Sequence, residues 1–147
     1  MNDDFYMKKA LALAQKAYDA DEVPVGAVVI YNGKVIGRGY NRRETDKNPL
    51  AHAELAAIRQ ASKNRGGWRL IDCTLYVTLE PCPMCAGAIV NARIPRVVFG
   101  AHDAKAGACG SVFDLFGLPL NHKPALTQGV MENECGNILK AFFRKLR

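Results

Sequence analysis

Two short stretches of this chain hold residues that could do chemistry together: His52-Ala53-Glu54 and Pro81-Cys82-Pro83-Met84-Cys85. They supply one imidazole, two thiols and one carboxylate. Imidazole nitrogen and thiolate sulfur are the ligands zinc prefers. Three such ligands leave a tetrahedral ion one open position, and water held there distinguishes a catalytic zinc from a structural one. His52, Cys82 and Cys85 are therefore the candidate ligands of a Zn2+ ion, and Glu54 is the candidate catalytic residue that moves the water's protons. Two thiolates and a neutral imidazole balance the ion's charge, so a hydroxide there would keep its full nucleophilic charge. That suits hydrolytic deamination, in which water attacks an amidine-like carbon of a base. Ammonia is a poor leaving group unless protonated, so a proton shuttle is required.

The spacing also says how these residues must be held. Cys82 and Cys85 are three apart and share a helical face. Pro81 and Pro83 place them at a helix start, where backbone N–H groups and the helix dipole favour thiolate. His52 and Glu54 sit at another helix start, after a loop containing Pro49. They do not share a helical face but can approach one ion from different sides. Two other readings compete. A C-x-x-C alone can be a redox pair, which the doubled prolines and the absence of a thioredoxin pattern disfavour. Cys73, Cys109 or His102 could supply a fourth ligand and close the site as a structural zinc. Glu54 argues against closure, since a scaffold has no use for a carboxylate beside the ion.

The elements that must position these groups follow from pattern. Asp4 to Ala20 reads as an amphipathic helix with Phe5, Met7, Leu11, Leu13, Ala14 and Tyr18 on its apolar stripe. Ala27 to Tyr31 reads as a buried strand, Asn32-Gly33 as a two-residue hairpin turn, and Lys34 to Tyr40 as the partner strand. A helix is expected over His52 to Ser62, a strand over Thr74 to Leu79, a helix over Pro83 to Ala92 and a strand over Arg96 to Ala101. A short helix at Ser111 to Phe116, a strand at Ala125 to Val130 and a last helix at Glu132 to Leu146 complete the chain. Helices alternating with strands imply an α/β protein, a three-layer α/β/α sandwich, with the opening hairpin making the sheet mixed.

Composition sets bounds. At 147 residues one domain, 1–147, is expected, with a sizeable core. No apolar run approaches the roughly 20 residues needed to cross a bilayer, and no signal-peptide core is present, so a cytoplasmic protein with no membrane partner is expected. Five cysteines, an odd count, argue against a disulfide framework, and Cys73, Cys109 and Cys135 read as small buried apolar residues. The net charge of +6 favours a polyanionic partner, though only weakly by itself.

The H-x-E…P-C-x-x-C pattern is the known signature of zinc-dependent nucleobase deaminases, the tRNA enzymes among them. Over nearly its whole length the chain resembles the cytidine-deaminase superfamily and, more narrowly, the bacterial tRNA adenosine deaminases. The resemblance is carried by EVPVGAVV (Glu22–Val29), AHAE (Ala51–Glu54), WRLIDCTLYVTLEPCPMCAGA (Trp68–Ala88), RVVFGAHDAKAG (Arg96–Gly107) and the ending ECGNILKAFFRKLR (Glu134–Arg147). It implies a cytidine-deaminase-like fold with a five-stranded sheet and a homodimer with one zinc per subunit. It also implies hydrolysis of the wobble adenosine to inosine in the tRNA anticodon stem-loop. Asn41 would hydrogen-bond the flipped nucleotide, Ala53 would offer its backbone N–H to the base, and Val25 would wall the base with Val23 and Pro24. Asp103 would accept a ribose hydroxyl from a loop shared with Lys105. Arg42, Arg43 and Lys47 are expected near phosphates, and Phe142 and Phe143 in the core. The alternative is a deaminase of a free base or nucleotide, such as guanine or cytosine, which needs no basic rim.

Overall fold

The computed structural model describes residues 2–146. In chain order the elements are α1 (Asp3–Asp19), β1 (Gly26–Tyr31), β2 (Lys34–Tyr40), α2 (Ala53–Arg65), β3 (Cys73–Leu79), α3 (Pro83–Asn91), β4 (Arg96–Ala101), β5 (Ala125–Thr127) and α4 (Glu132–Lys145). The strands form one sheet in the order β2-β1-β3-β4-β5. β1 is antiparallel to β2 and β3, whereas β3-β4 and β4-β5 are parallel. β1 runs against the other four strands, and the hairpin turn that reverses it into β2 has Asn32 and Gly33 both at positive φ (54° and 77°), as a type I′ turn requires.

Strand alternation sorts the core onto two faces. Ala27 and Val29 of β1 face a cluster with Ala53, Ala57 and Ala61 of α2 and Ile89 of α3. Val28 and Ile30 face Met7, Ala10 and Leu13 of α1 and Cys135 of α4. The helices therefore cover both faces, giving the three layers expected.

The approach that matters most for the site is small against small. A Cβ on Gly39 would lie 2.2 Å from the Ala53 carbonyl oxygen, and one on Gly37 would lie 2.1 Å from that of Ala57. Only glycines in β2 and alanines along α2 allow such proximity. The start of α2 is thereby seated on the end of β2, next to Asn41.

Several boundaries differ from expectation, each for a physical reason. The buried face of α1 is Tyr6, Met7, Ala10, Leu13, Ala14 and Ala17. Phe5 is exposed and packs under the Lys9 ammonium instead. α2 runs on to Arg65, where Gly66 ends it in the left-handed conformation. No helix forms over 111–116. The donors there are spent elsewhere, Ser111 on Glu80 and the Val112 N–H on the Gly107 carbonyl, and only a 3-10 turn at Leu115–Gly117 remains. β5 stops at Thr127, and positive φ at Gly129 and Met131 turns the chain into α4. Cys73, Cys109 and Cys135 are buried, and all five cysteines are free. No helix among the described residues is long and apolar enough to cross a membrane.

Candidate active site

The metal-ligand candidates come from two helix N-termini that meet beside the sheet. His52 is the N-cap of α2 and Cys82 the N-cap of α3, both in extended backbone conformation, and neither side chain caps its own helix. Ser, Thr, Asp or Asn would fold back onto the helix at such positions. Imidazole and thiol project away instead. Pro83 fixes the first helical residue of α3, and Cys85, one turn in, faces the same way as Cys82.

His52 Nδ1 lies 3.7 Å from Cys82 Sγ and 3.4 Å from Cys85 Sγ. The three ligand atoms all fall within 4.8 Å of one another. Nitrogen and sulfur ligands at ordinary zinc bond lengths in a tetrahedron stand roughly 3.6 Å apart. The donors thus already have the spacing such an ion needs. Among the described residues no further His, Cys, Asp or Glu joins the cluster. Cys73 and Cys109 are buried but outside the cluster, and His102 is exposed and paired with Gln128 and Glu132.

The electrostatics favour a cation. The Cys85 thiol donates to Cys82 and holds its pKa at about 4, against the penalty of burial. The Cys82 sulfur, burial and the nearby Glu54 carboxylate in turn push the Cys85 thiol far up. The hydrogen bond to Cys82 raises the His52 imidazole. Burial lifts the Glu54 carboxyl to about 7. Sulfur, sulfur and carboxylate compete for too few positive charges, and a divalent ion among them relieves all three. Glu54 is 4% exposed, lies beside the Cys85 thiol and is not part of the ligand cluster.

Asn41 and Ala53 are joined by a hydrogen bond. The Ala53 N–H donates to Asn41 Oδ1 at 2.9 Å, and the Asn41 N–H donates to the Val25 carbonyl at 3.2 Å. The N–H of a first helical residue has no partner within its helix, so Asn41 caps α2 from a distance and leaves His52 free to ligate. Here the Ala53 N–H is directed at Asn41, not at open space. Val25 packs in the core with Ala53, while Val23 borders open volume. Asp103 Oδ1 is taken by the N–H groups of Lys105 and Ala106, so the carboxylate shapes its own loop, with the Lys105 side chain exposed. Arg42 is committed to Asp46 and Tyr40, whereas Arg43 and Lys47 are exposed.

A cavity of about 320 Å³ adjoins Asn41, bordered by Glu22, Val23, Arg43, Phe142 and Phe143. Phe142 is buried as expected, but Phe143 is 47% exposed and lines this cavity. Sequence reasoning also passed over two buried glutamates. Glu22 accepts from the Glu44 N–H, the Thr45 N–H and the Thr45 hydroxyl. Glu80 accepts from the N–H groups of Asp103, Cys109 and Ser111 and from the Ser111 hydroxyl. Their sequence signal was membership of two stretches that carry the family resemblance, Glu22 at the head of EVPVGAVV before β1 and Glu80 in LEPC just past β3.

A mixed sheet between two helical layers, with His, Cys and Cys at two helix tips beside a buried glutamate, defines a deaminase of the cytidine-deaminase-like fold. The chain matches the MafB19-like deaminase family over residues 1–147. It is 51% identical over 146 residues to a tRNA-specific adenosine deaminase of Bacillus subtilis, covering 99% of this chain and 91% of that protein. A solved structure from a study of A-to-I editing by tRNA:A34 deaminases superposes with a TM-score of 0.89 at 46% identity, covering 92% of this chain and 99% of that one. The guanine deaminase of Bacillus subtilis superposes with a TM-score of 0.68 at 35% identity, covering 98% and 95%. The chain belongs to the family of tRNA-specific adenosine deaminases.

Proposed function

We propose that this protein hydrolytically deaminates the wobble adenosine of a tRNA anticodon loop to inosine, as a single zinc-dependent domain spanning 1–147. The observation that carries the reading is the pairing of His52, Cys82 and Cys85 with a buried Glu54, in a chain half identical to a tRNA-specific adenosine deaminase along its whole length.

His52, Cys82 and Cys85 would hold the metal. Zinc, when bound, supplies the Lewis acidity that lets water attack near neutral pH. Glu54 accepts a proton from the attacking water and hands it to the amino nitrogen as that nitrogen departs. Oxygen bonds to the ring carbon, the carbon–nitrogen bond breaks and ammonia leaves with one of the water's protons, while the other ends on the adjacent ring nitrogen, so one water is consumed for each inosine formed. Burial of Glu54 suits both duties, because its carboxyl gives up and regains a proton without competing bulk water.

Asn41, held beside the start of α2, is the candidate reader of the flipped nucleotide, and the Asn41–Ala53 hydrogen bond is the pair that substrate would meet. Val25 backs Ala53 from the core. Arg43, Lys47 and Lys105 are exposed cations available to phosphates, and Asp103 orders the loop that carries Lys105. Unpaired anticodon bases splay out at low cost, which suits a recessed centre. Exposed Val112, Phe113, Leu118 and Leu120 lie close together in sequence and support a homodimer. A tRNA substrate fits a cytoplasmic location.

Deamination of free guanine is the second reading, favoured by the likeness to a guanine deaminase. Incubating the zinc-loaded protein with an anticodon stem-loop and, separately, with free guanine and cytosine tests the two. Inosine in the RNA is expected. Ammonia released from the free bases alone would overturn the reading.

A further inference from the structure

We propose that Glu80 is a positioning residue: its carboxylate gathers the 103–111 loop against the Cys82 turn and so sets where that loop presents Lys105 to RNA. The inference rests on the tRNA deaminase reading and deepens it. Glu80 is 2% exposed, and neither the ligand cluster nor Glu54 is among its hydrogen-bond partners. Its two oxygens receive the Asp103 N–H at 3.0 Å, the Cys109 N–H at 3.0 Å, the Ser111 N–H at 3.1 Å and the Ser111 hydroxyl. An ionised carboxylate has about four acceptor sites, so this one is saturated by a single loop.

The backbone repeats the tie from the other side. The Glu80 N–H donates to the Ala101 carbonyl at 2.8 Å, and the Ala108 N–H donates to the Pro81 carbonyl at 2.9 Å. The loop also passes so close that a Cβ on Gly107 would lie 2.4 Å from the Glu80 carboxylate. The order then propagates outward. Glu80 fixes the Asp103 N–H, and Asp103 Oδ1 in turn fixes the N–H groups of Lys105 and Ala106. A glutamate two residues before Cys82 thus acts on the surface that carries Lys105.

A residue of this kind changes how well RNA is held, not how fast bound RNA reacts. Glu80→Gln replaces an acceptor with a donor facing N–H groups, and costs at least one charge-assisted hydrogen bond. The expected result is a KM for an anticodon stem-loop raised about tenfold, with kcat within about threefold of wild type and zinc content unchanged. Gly107→Ala, which drives a methyl into the carboxylate, should act in the same direction. In Glu80→Ala the space is vacated, so adding Gly107→Ala should do no further harm, a non-additive cycle. Amide exchange at Cys109 and Ser111 should quicken in Glu80→Gln. Should that variant fail to fold, Ser111→Ala removes one donor and carries the same test, with a rise in KM of about threefold.

A fall in kcat at unchanged KM, or loss of zinc from a folded Glu80→Gln protein, would overturn the proposal. So would wild-type amide protection at Cys109 and Ser111 in that variant. If the wild-type protein leaves RNA untouched, the deaminase reading fails separately, and amide exchange still decides whether Glu80 orders the loop.

Discussion

Three glutamates among the described residues are buried, and what meets each carboxylate decides what it does. Glu54 lies beside the Cys85 thiol and the candidate ligand cluster, and burial lifts its carboxyl to about 7, the setting that the proposed proton transfer needs. Glu22 is filled by donors. Burial alone would raise its pKa, but the Thr45 hydroxyl, the Thr45 and Glu44 N–H groups and the Arg42 charge outweigh that and hold it below the usual carboxylate value. A depressed folded-state pKa stabilises the fold above the unfolded value of about 4.3, and the gain fades as pH falls through the folded value. Thermal melts should therefore show wild type above Glu22→Gln at neutral pH, with the gap closing below about pH 4. A gap that widens on acidification would contradict this. Cys82→Ala should lose the metal on elemental analysis, because two ligands hold zinc far more weakly than three. That His52, Cys82 and Cys85 would gather in one cluster was legible, because their spacing brings them to two helix tips. Glu22 and Glu80 were not, because a glutamate's burial depends on distant loop donors that no local pattern records.

At the scale of elements, the site is only as good as the seating of α2. Gly39 lets the Ala53 carbonyl approach β2, so Gly39→Ala must lift the start of the helix that carries His52 and Glu54. Such overpacking costs about 3 kcal/mol. Chemical denaturation should show that drop in stability, together with weaker zinc retention than in wild type. Unchanged stability would mean that α2 is not clamped as described. The elements were legible wherever hydrophobic period and turn chemistry agreed, as in β2 and β4, whose expected bounds match the structure. Local pattern fails where tertiary bonds overrule it. Ser111 gives its donors to Glu80 in place of a helix. In α1, the choice between Phe5 and Tyr6 turned on packing against Tyr76, whose ring lies 5.3 Å from that of Tyr6.

For the whole molecule, charge is the property that RNA feels first. The chain carries +6, and the structure separates the cations already spent from those on offer. Arg96 is bound to Asp3, Arg65 to Asp72, Lys145 to Asp21 and Arg42 to Asp46. Arg43 borders the cavity beside Asn41. Removing one cation that pairs with a phosphate should flatten the dependence of log K on log salt by about 0.7 for single-stranded RNA. Binding titrations across a salt series should show that change for Arg43→Ala and a smaller one for Arg42→Ala, whose guanidinium is already paired. Equal effects would show that the intramolecular pairing of Arg42 does not persist on RNA. The weak inference from net charge thus becomes specific only once the ion pairs are known, and the sequence could not supply them.

Proton transfer by Glu54, beside His52, Cys82 and Cys85, is the step on which the proposed deamination depends. Inosine formation at the wobble position of an anticodon stem-loop, compared between wild type and Glu54→Ala at equal zinc content and equal RNA occupancy, tests it most directly. A rate lower by a factor on the order of 10² or more in the variant is predicted. An undiminished rate would contradict it.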